Sequence, residues 1–262
     1  MPNRSSFLVA TIVPAVTIVL AVTSSAARAQ DESCKHLFIL SGQSNMAGMN
    51  PEHGFKQEAE KLLGDVAYIK VARGGQPIRY WVTEWDDIAK KHEIDVQAKR
   101  AKDRVKGTLY YQPILDQFKQ LLSKHPSPRS VTFCWMQGER DAKEHLHEAY
   151  ADSLKQLISN LRRDLEQPEM HFVIGRLSDF GDGKSEQWQS VRNAQLQVAN
   201  EDARGAWVDC DDLNDKPNKN GEGTRNDLHY TKEGYRILGE RYARQAHAMM
   251  NGNEPASDGR PN

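Results

Sequence analysis

"FILSGQSNMAG", residues 38–48, decides how the chain is read. Phe38, Ile39 and Leu40 follow one another without a polar residue, as in a strand covered on both faces. The run stops in Gly42-Gln43-Ser44-Asn45. A serine in such a loop is either a turn residue or a nucleophile. The familiar G-x-S-x-G elbow needs a second glycine after the serine, and that glycine is missing here.

Working outward, short apolar runs recur at "HLFIL" (36–40), "VAYIKV" (66–71), "VTFCW" (131–135), "HFVIG" (171–175) and "AWVDC" (206–210). They are rich in β-branched and aromatic residues and read as buried strands. Helical patterns fall between and after them, at 112–123, 143–166, 187–200 and 232–249. In the second of these, Leu146, Tyr150, Leu154, Leu157, Leu161 and Leu165 recur at steps of three and four. Pro113 suits a first helical turn, and Thr231 suits an N-cap. Strand and helix in alternation predict an α/β fold, a parallel sheet with helices on both faces. Five strands predict the flavodoxin-like, three-layer α/β/α arrangement with strand order 2-1-3-4-5. Two connections are longer than linkers need to be: residues 76–108, which hold Trp81 and Trp85, and the polar residues 211–226.

Residues 1–29 have the layout of a secretory signal peptide: Arg4, an apolar run at 7–22, and Ala27-Arg28-Ala29 before the expected cut. The apolar run is interrupted by Pro14 and falls short of the ~20 residues that a spanning helix needs. Export to the periplasm or beyond, with no stable membrane association, is therefore expected. The full chain carries 35 basic and 36 acidic residues; the leader removes Arg4 and Arg28, so the remainder has net charge −3. That balance gives no electrostatic reason to bind nucleic acid. About 230 residues remain, enough for one α/β domain, read as 30–250. The polar tail 251–262 is expected to be disordered. Of the three cysteines, Cys34, Cys134 and Cys210, an odd one must stay unpaired within the chain, and no spacing makes a metal site.

In open α/β sheets, ligands bind beyond the carboxyl ends of the strands. After the first strand stand Gln43, Ser44 and Asn45; after the second, Arg73-Gly74-Gly75-Gln76; after the third, Gln137-Gly138-Glu139-Arg140-Asp141; after the fourth, Arg176. The polar loop after the fifth closes with Asn226-Asp227-Leu228-His229. These groups suffice for a serine hydrolase. Ser44 needs a base, and His229 precedes the last helix; Asp227 stands two residues away to orient the imidazole. The oxyanion needs fixed donors: the Ser44 N–H, a backbone N–H at Gly74 or Gly75, and the Gln137 amide. Arg73, Arg79, Trp81 and Trp85 are candidates to line a sugar site, because a tryptophan face offers flat apolar area with a polar edge.

The segments "GQSNMAG", "ARGGQPI", "WMQGERDA" and "DLHYTKEGY" resemble the four sequence blocks of the SGNH hydrolase superfamily, and within it the sialate O-acetylesterase and acetylxylan esterase branch. The resemblance covers about residues 35–249. It implies the SGNH fold, Ser44 as nucleophile, His229 as base, and oxyanion donors from Ser44, Gly75 in preference to Gly74, and Gln137. It implies removal of acetyl groups from a carbohydrate, without metal or organic cofactor. The last block departs from the pattern: the acid belongs three residues before the histidine, where this chain has Asn226. Asp227, Asn226 and Glu139 therefore compete for the third place. Two other readings share the scaffold: an esterase or thioesterase acting on a non-carbohydrate acyl substrate, such as a short-chain acyl lipid, and a carbohydrate-binding protein without catalysis.

Overall fold

The first strand, β1 (His36–Gly42), lies at the centre of one side of a five-stranded sheet, and Leu37 to Leu40 are wholly buried. Its neighbours are β2 (Val66–Ala72) and β3 (Ser130–Met136), followed by β4 (His171–Gly175) and β5 (Gly205–Val208), in the order β2-β1-β3-β4-β5. Every neighbouring pair is parallel, which is the topology the alternation predicts. The computed structural model describes Met1 and residues 35–103, 107–183, 185–217, 223–224 and 227–261. Apart from Met1, the expected leader lies outside the described residues, as do Cys34 and Asn226.

The helices are α1 (Ser44–Gly48), α2 (Phe55–Leu63), α3 (Trp85–Lys91), α4 (Val96–Arg100), α5 (Tyr111–Lys124), α6 (Glu139–Lys143), α7 (Tyr150–Asp164), α8 (Glu186–Asn200) and α9 (Lys232–Met250). α2 and α9 pack together on the sheet face of Phe38, whose ring meets Phe55 edge-on at 5.0 Å. On the other face, Trp135 donates from its indole to Tyr150 at the start of α7, and Tyr111 of α5 bonds Asp164 at the end of α7. Thr231 caps α9, its hydroxyl accepting from the Gly234 N–H at 2.8 Å. No helix among the described residues is long and apolar enough to cross a membrane.

Three expectations need correction. The single helix read at 143–166 is broken: His145 adopts φ +55°, outside helical geometry, and a short 3₁₀ turn at His147–Ala149 precedes α7. Residues 76–108 are not a bare loop, since α3 and α4 fold there. The tail is not loose. The Gly259 carbonyl accepts the Asp209 N–H at 3.0 Å, Ala256 exchanges hydrogen bonds with the Gln245 side chain, and Arg260 pairs with Asp209. These bonds offset the ordering entropy that its composition alone leaves unmatched.

Candidate active site

The strand register assembles the site. Gly42 is level with Ala72 of β2 and Met136 of β3, so the residues that follow all three strands emerge side by side. The crossing is tight: the Gln43 N–H donates to the Met136 carbonyl at 2.8 Å, and the Arg73 N–H to the Gly42 carbonyl at 3.1 Å. Gly42 has φ +144°, and a Cβ there would stand 1.9 Å from the Met136 carbonyl oxygen. The glycine before Gln43 is thus required by backbone packing, and the chain turns directly into α1 with Ser44 as its first residue.

A cavity of about 690 Å³ opens at this edge, and its wall carries both Ser44 and His229. Gly74 lies against the serine, since a methyl group on it would sit 3.6 Å from the Ser44 Cβ. The Gly74–Gln76 segment is tied down through three successive carbonyls: Gly74 accepts from the Gln76 side chain at 3.0 Å, Gly75 from Arg140 Nε at 2.8 Å, and Gln76 from Gln137 Nε2 at 3.0 Å. Gly75 holds φ +68° in this clamp. Fixed carbonyls fix the peptide planes, and hence the directions of the N–H groups between them.

Asn45 links the serine helix to the histidine loop. Its Nδ2 donates to Glu139 Oε1 at 2.9 Å and to the Leu228 carbonyl at 3.1 Å, while Oδ1 accepts from Tyr235 at 3.1 Å. Glu139 is on the cavity wall, yet it is almost wholly covered, and its Oε2 has no hydrogen-bond partner among the described residues. Burial pushes its carboxyl up to about 7. Asp141, two residues further along the same segment, is raised to about 7 by the same cause, although the Ile78 N–H bonds both its oxygens.

Gln137, expected as an oxyanion donor, is placed off the cavity wall. Its side chain is completely buried, Nε2 is engaged by the Gln76 carbonyl and Asp141, and it is not on the cavity wall. It supports the glycine clamp from behind. Gln43 is on the wall instead. Its Oε1 accepts the Arg140 N–H at 3.2 Å and Gln137 Nε2 at 3.4 Å, so Nε2 is the donor that Gln43 has left for a ligand. Asp227 Oδ1 accepts the backbone N–H of His229 at 3.1 Å, and its carbonyl accepts from Asn214 at 2.9 Å. His229 itself is exposed at the cavity mouth.

The sugar-site candidates in the long connection are largely displaced. Trp81 and Trp85 have no exposed surface: Trp81 bonds Ser41 and meets Trp135 edge-on at 5.3 Å, deep in the core. Arg79 is buried in ion pairs with Asp103 and Glu144, because α3 and α4 cover it. Arg73 remains exposed and lines a neighbouring cavity with Gly74, Gly75 and Arg140. Sequence reasoning missed Phe180 and Trp188, which form an aromatic part of the active-site wall. The available signal was an aromatic residue in the "SDFGDG" loop directly after the fourth strand. No group of three His, Cys, Asp or Glu side chains among the described residues is placed to hold a metal ion.

Comparison with known proteins accords with this geometry. No protein of curated function matches the sequence. A protein from Arabidopsis thaliana solved by X-ray crystallography superposes with a TM-score of 0.56 at 20% identity, covering 83% of this chain and 98% of that one. NanS superposes with a TM-score of 0.54 at 15% identity, covering 84% of this chain and 98% of NanS. XAC1771, a carbohydrate acetylesterase from Xanthomonas citri, gives 0.57 at 17% identity; the match covers 83% of this chain and 57% of that larger one. At these identities the likeness establishes the fold alone. The model of the family "Carbohydrate esterase, sialic acid-specific acetylesterase" matches residues 50–248, most of the chain, beginning just beyond the Ser44 helix. The chain belongs to that family of carbohydrate esterases.

Proposed function

We propose that this protein is an exported serine esterase that removes O-acetyl groups from a carbohydrate through an acetyl-enzyme. The observation that carries the reading is the meeting of Ser44, from the first strand, with His229, from the last loop, on one cavity wall with Gly74 packed against the serine. His229 takes the proton as Ser44 Oγ bonds the acetyl carbonyl carbon. The charge on the carbonyl oxygen is met by the N–H groups of Ser44 and Gly75 and by the Gln43 amide, which takes the part expected of Gln137. Collapse breaks the bond to the sugar oxygen, and His229 returns the proton to that leaving alcohol. Water then attacks the acetyl-enzyme and releases acetate. Asp227, held next to His229 by a carboxylate-to-backbone bond, is the proposed acid member. The composition of residues 1–29 supports export, and the near-neutral balance of the remainder fits a partner that is neither nucleic acid nor membrane.

The test is acetate release from acetylated xylan, acetylated sialic acids and ethyl acetate by wild type and Ser44→Ala. The variant should melt like wild type and lose up to ~10⁶-fold in kcat. It should also lose labelling by a fluorophosphonate. Retention of more than a few per cent of the activity would assign the nucleophile elsewhere.

A further inference from the structure

The active-site cavity is far larger than an acetyl group, and cavities of roughly 300–1,000 Å³ commonly enclose whole small ligands. Part of its wall is aromatic. Phe180 is 39% exposed, the only large apolar side chain besides Met1 to be so exposed among the described residues. Its ring centroid lies 5.2 Å from that of Trp188, at 49°. Trp188 cannot swing away, because its indole N–H donates to the Ser178 carbonyl at 2.7 Å and its backbone opens α8 under the Ser185 cap. The phenyl ring is braced on a fixed indole and keeps 39% of its surface exposed on the wall that also carries Ser44 and His229, where a ligand in the cavity can reach it.

We propose that Phe180, braced by Trp188, is a stacking subsite for the pyranose ring that bears the acetyl group. The inference rests on the esterase reading above and names where its alcohol half binds. The axial C–H groups of a pyranose present an apolar face of about the size of a phenyl ring, and an aromatic face receives it without using hydrogen bonds. Phe180 and Trp188 share one cavity with Ser44 and His229, so a ring resting there is continuous with the reacting ester. Binding energy taken from this remote part of the substrate is available to orient the ester.

Two measurements test this. The first compares Phe180→Ala and Phe180→Tyr with wild type on an O-acetylated methyl pyranoside and on ethyl acetate, which has no ring. Phe180→Ala should raise KM for the pyranoside on the order of 10-fold more than for ethyl acetate, and Phe180→Tyr, which keeps the ring, should restore it. Equal losses on both esters, or a loss greatest for long-chain acyl esters, would overturn the subsite. The second measures binding of the acetylated pyranoside to Ser44→Ala by calorimetry, with and without Phe180→Ala. About 10-fold weaker binding in the double variant supports the proposal, and no pyranoside binding to Ser44→Ala refutes it. If Ser44→Ala binds the pyranoside through Phe180 while wild type releases no acetate from it, the esterase reading fails and the subsite stands.

Discussion

Glu139→Gln should make the protein less sensitive to alkaline pH. The carboxyl is buried on the cavity wall, with one oxygen bonded to Asn45 and the other without a partner among the described residues. In the unfolded chain it titrates near 4.5, and in the folded protein near 7. The folded state therefore holds a proton that the unfolded chain has released, and this favours folding fully below 4.5 and is lost as pH rises through 7. Each pH unit in that interval is worth about 1.4 kcal/mol, so deprotonation costs roughly 3 kcal/mol in all. Glutamine imitates the protonated acid and keeps an oxygen for Asn45. Relative to wild type, the variant should gain about 2–3 kcal/mol between pH 5 and pH 8.5. Urea unfolding at both pH values measures this directly. Asp141 titrates in the same range in both proteins and drops out of the difference. An advantage that is the same at both pH values would show that Glu139 is not held protonated by burial.

The remaining predictions concern single groups. Gln43→Ala should lower kcat about 10²–10³-fold with little effect on melting, as for one oxyanion donor; Gln137→Ala should show its main loss in the melting curve, since it leaves Asp141 and the Gln76 carbonyl without their buried donor. Gly42→Ala should fail to give soluble folded protein, because the new methyl group meets the Met136 carbonyl, which is backbone and cannot yield. Asp227→Ala should cut kcat about 10²–10⁴-fold and Asn226→Ala much less; nearly full activity in Asp227→Ala, or a large gain in Asn226→Asp, would show that the family's usual position is the one that serves.

The sheet was legible because its signal is local. Continuous apolar runs such as Leu37–Leu40 and Phe133–Met136 are fully buried, and alternation with helices leaves few topologies for five parallel strands. That Ser44 and His229 would share a cavity was legible because residues at the carboxyl ends of such strands gather on one edge of the sheet. What failed depends on contacts far apart in sequence. The charged stretch around Trp81 and Trp85 looks like a solvated loop, but Arg79 finds Asp103 and Glu144, partners 24 and 65 residues away, and Trp85 is buried as the first residue of α3. Gln137 and Gln43 are both glutamines at strand ends. The partners of each decide its place: Asp141 and the Gln76 carbonyl hold Gln137 Nε2, and the backbone N–H of Arg140 engages the Gln43 oxygen. His145 gives no warning that a continuous apolar stripe will break beside it.

Asn45 gives the serine motif a second purpose. His229 itself is exposed. Two side-chain amides hold its loop by successive carbonyls: Asn214 donates to Asp227 and Asn45 donates to Leu228. The loop then enters α9 under the Thr231 cap, with the Thr231 N–H on the Leu213 carbonyl at 3.1 Å. The residue next to Ser44 thereby ties the loop that carries His229 to the helix that carries Ser44. The same Asn45 amide bonds Glu139, so that ionisation of Glu139 is felt where the serine helix and the histidine loop join. Gly42 sets the turn, Gln43 presents its amide to the cavity, Ser44 stands at the wall, and Asn45 carries the histidine loop: every position of the motif has a separate physical task, and none of them requires the second glycine of the familiar elbow.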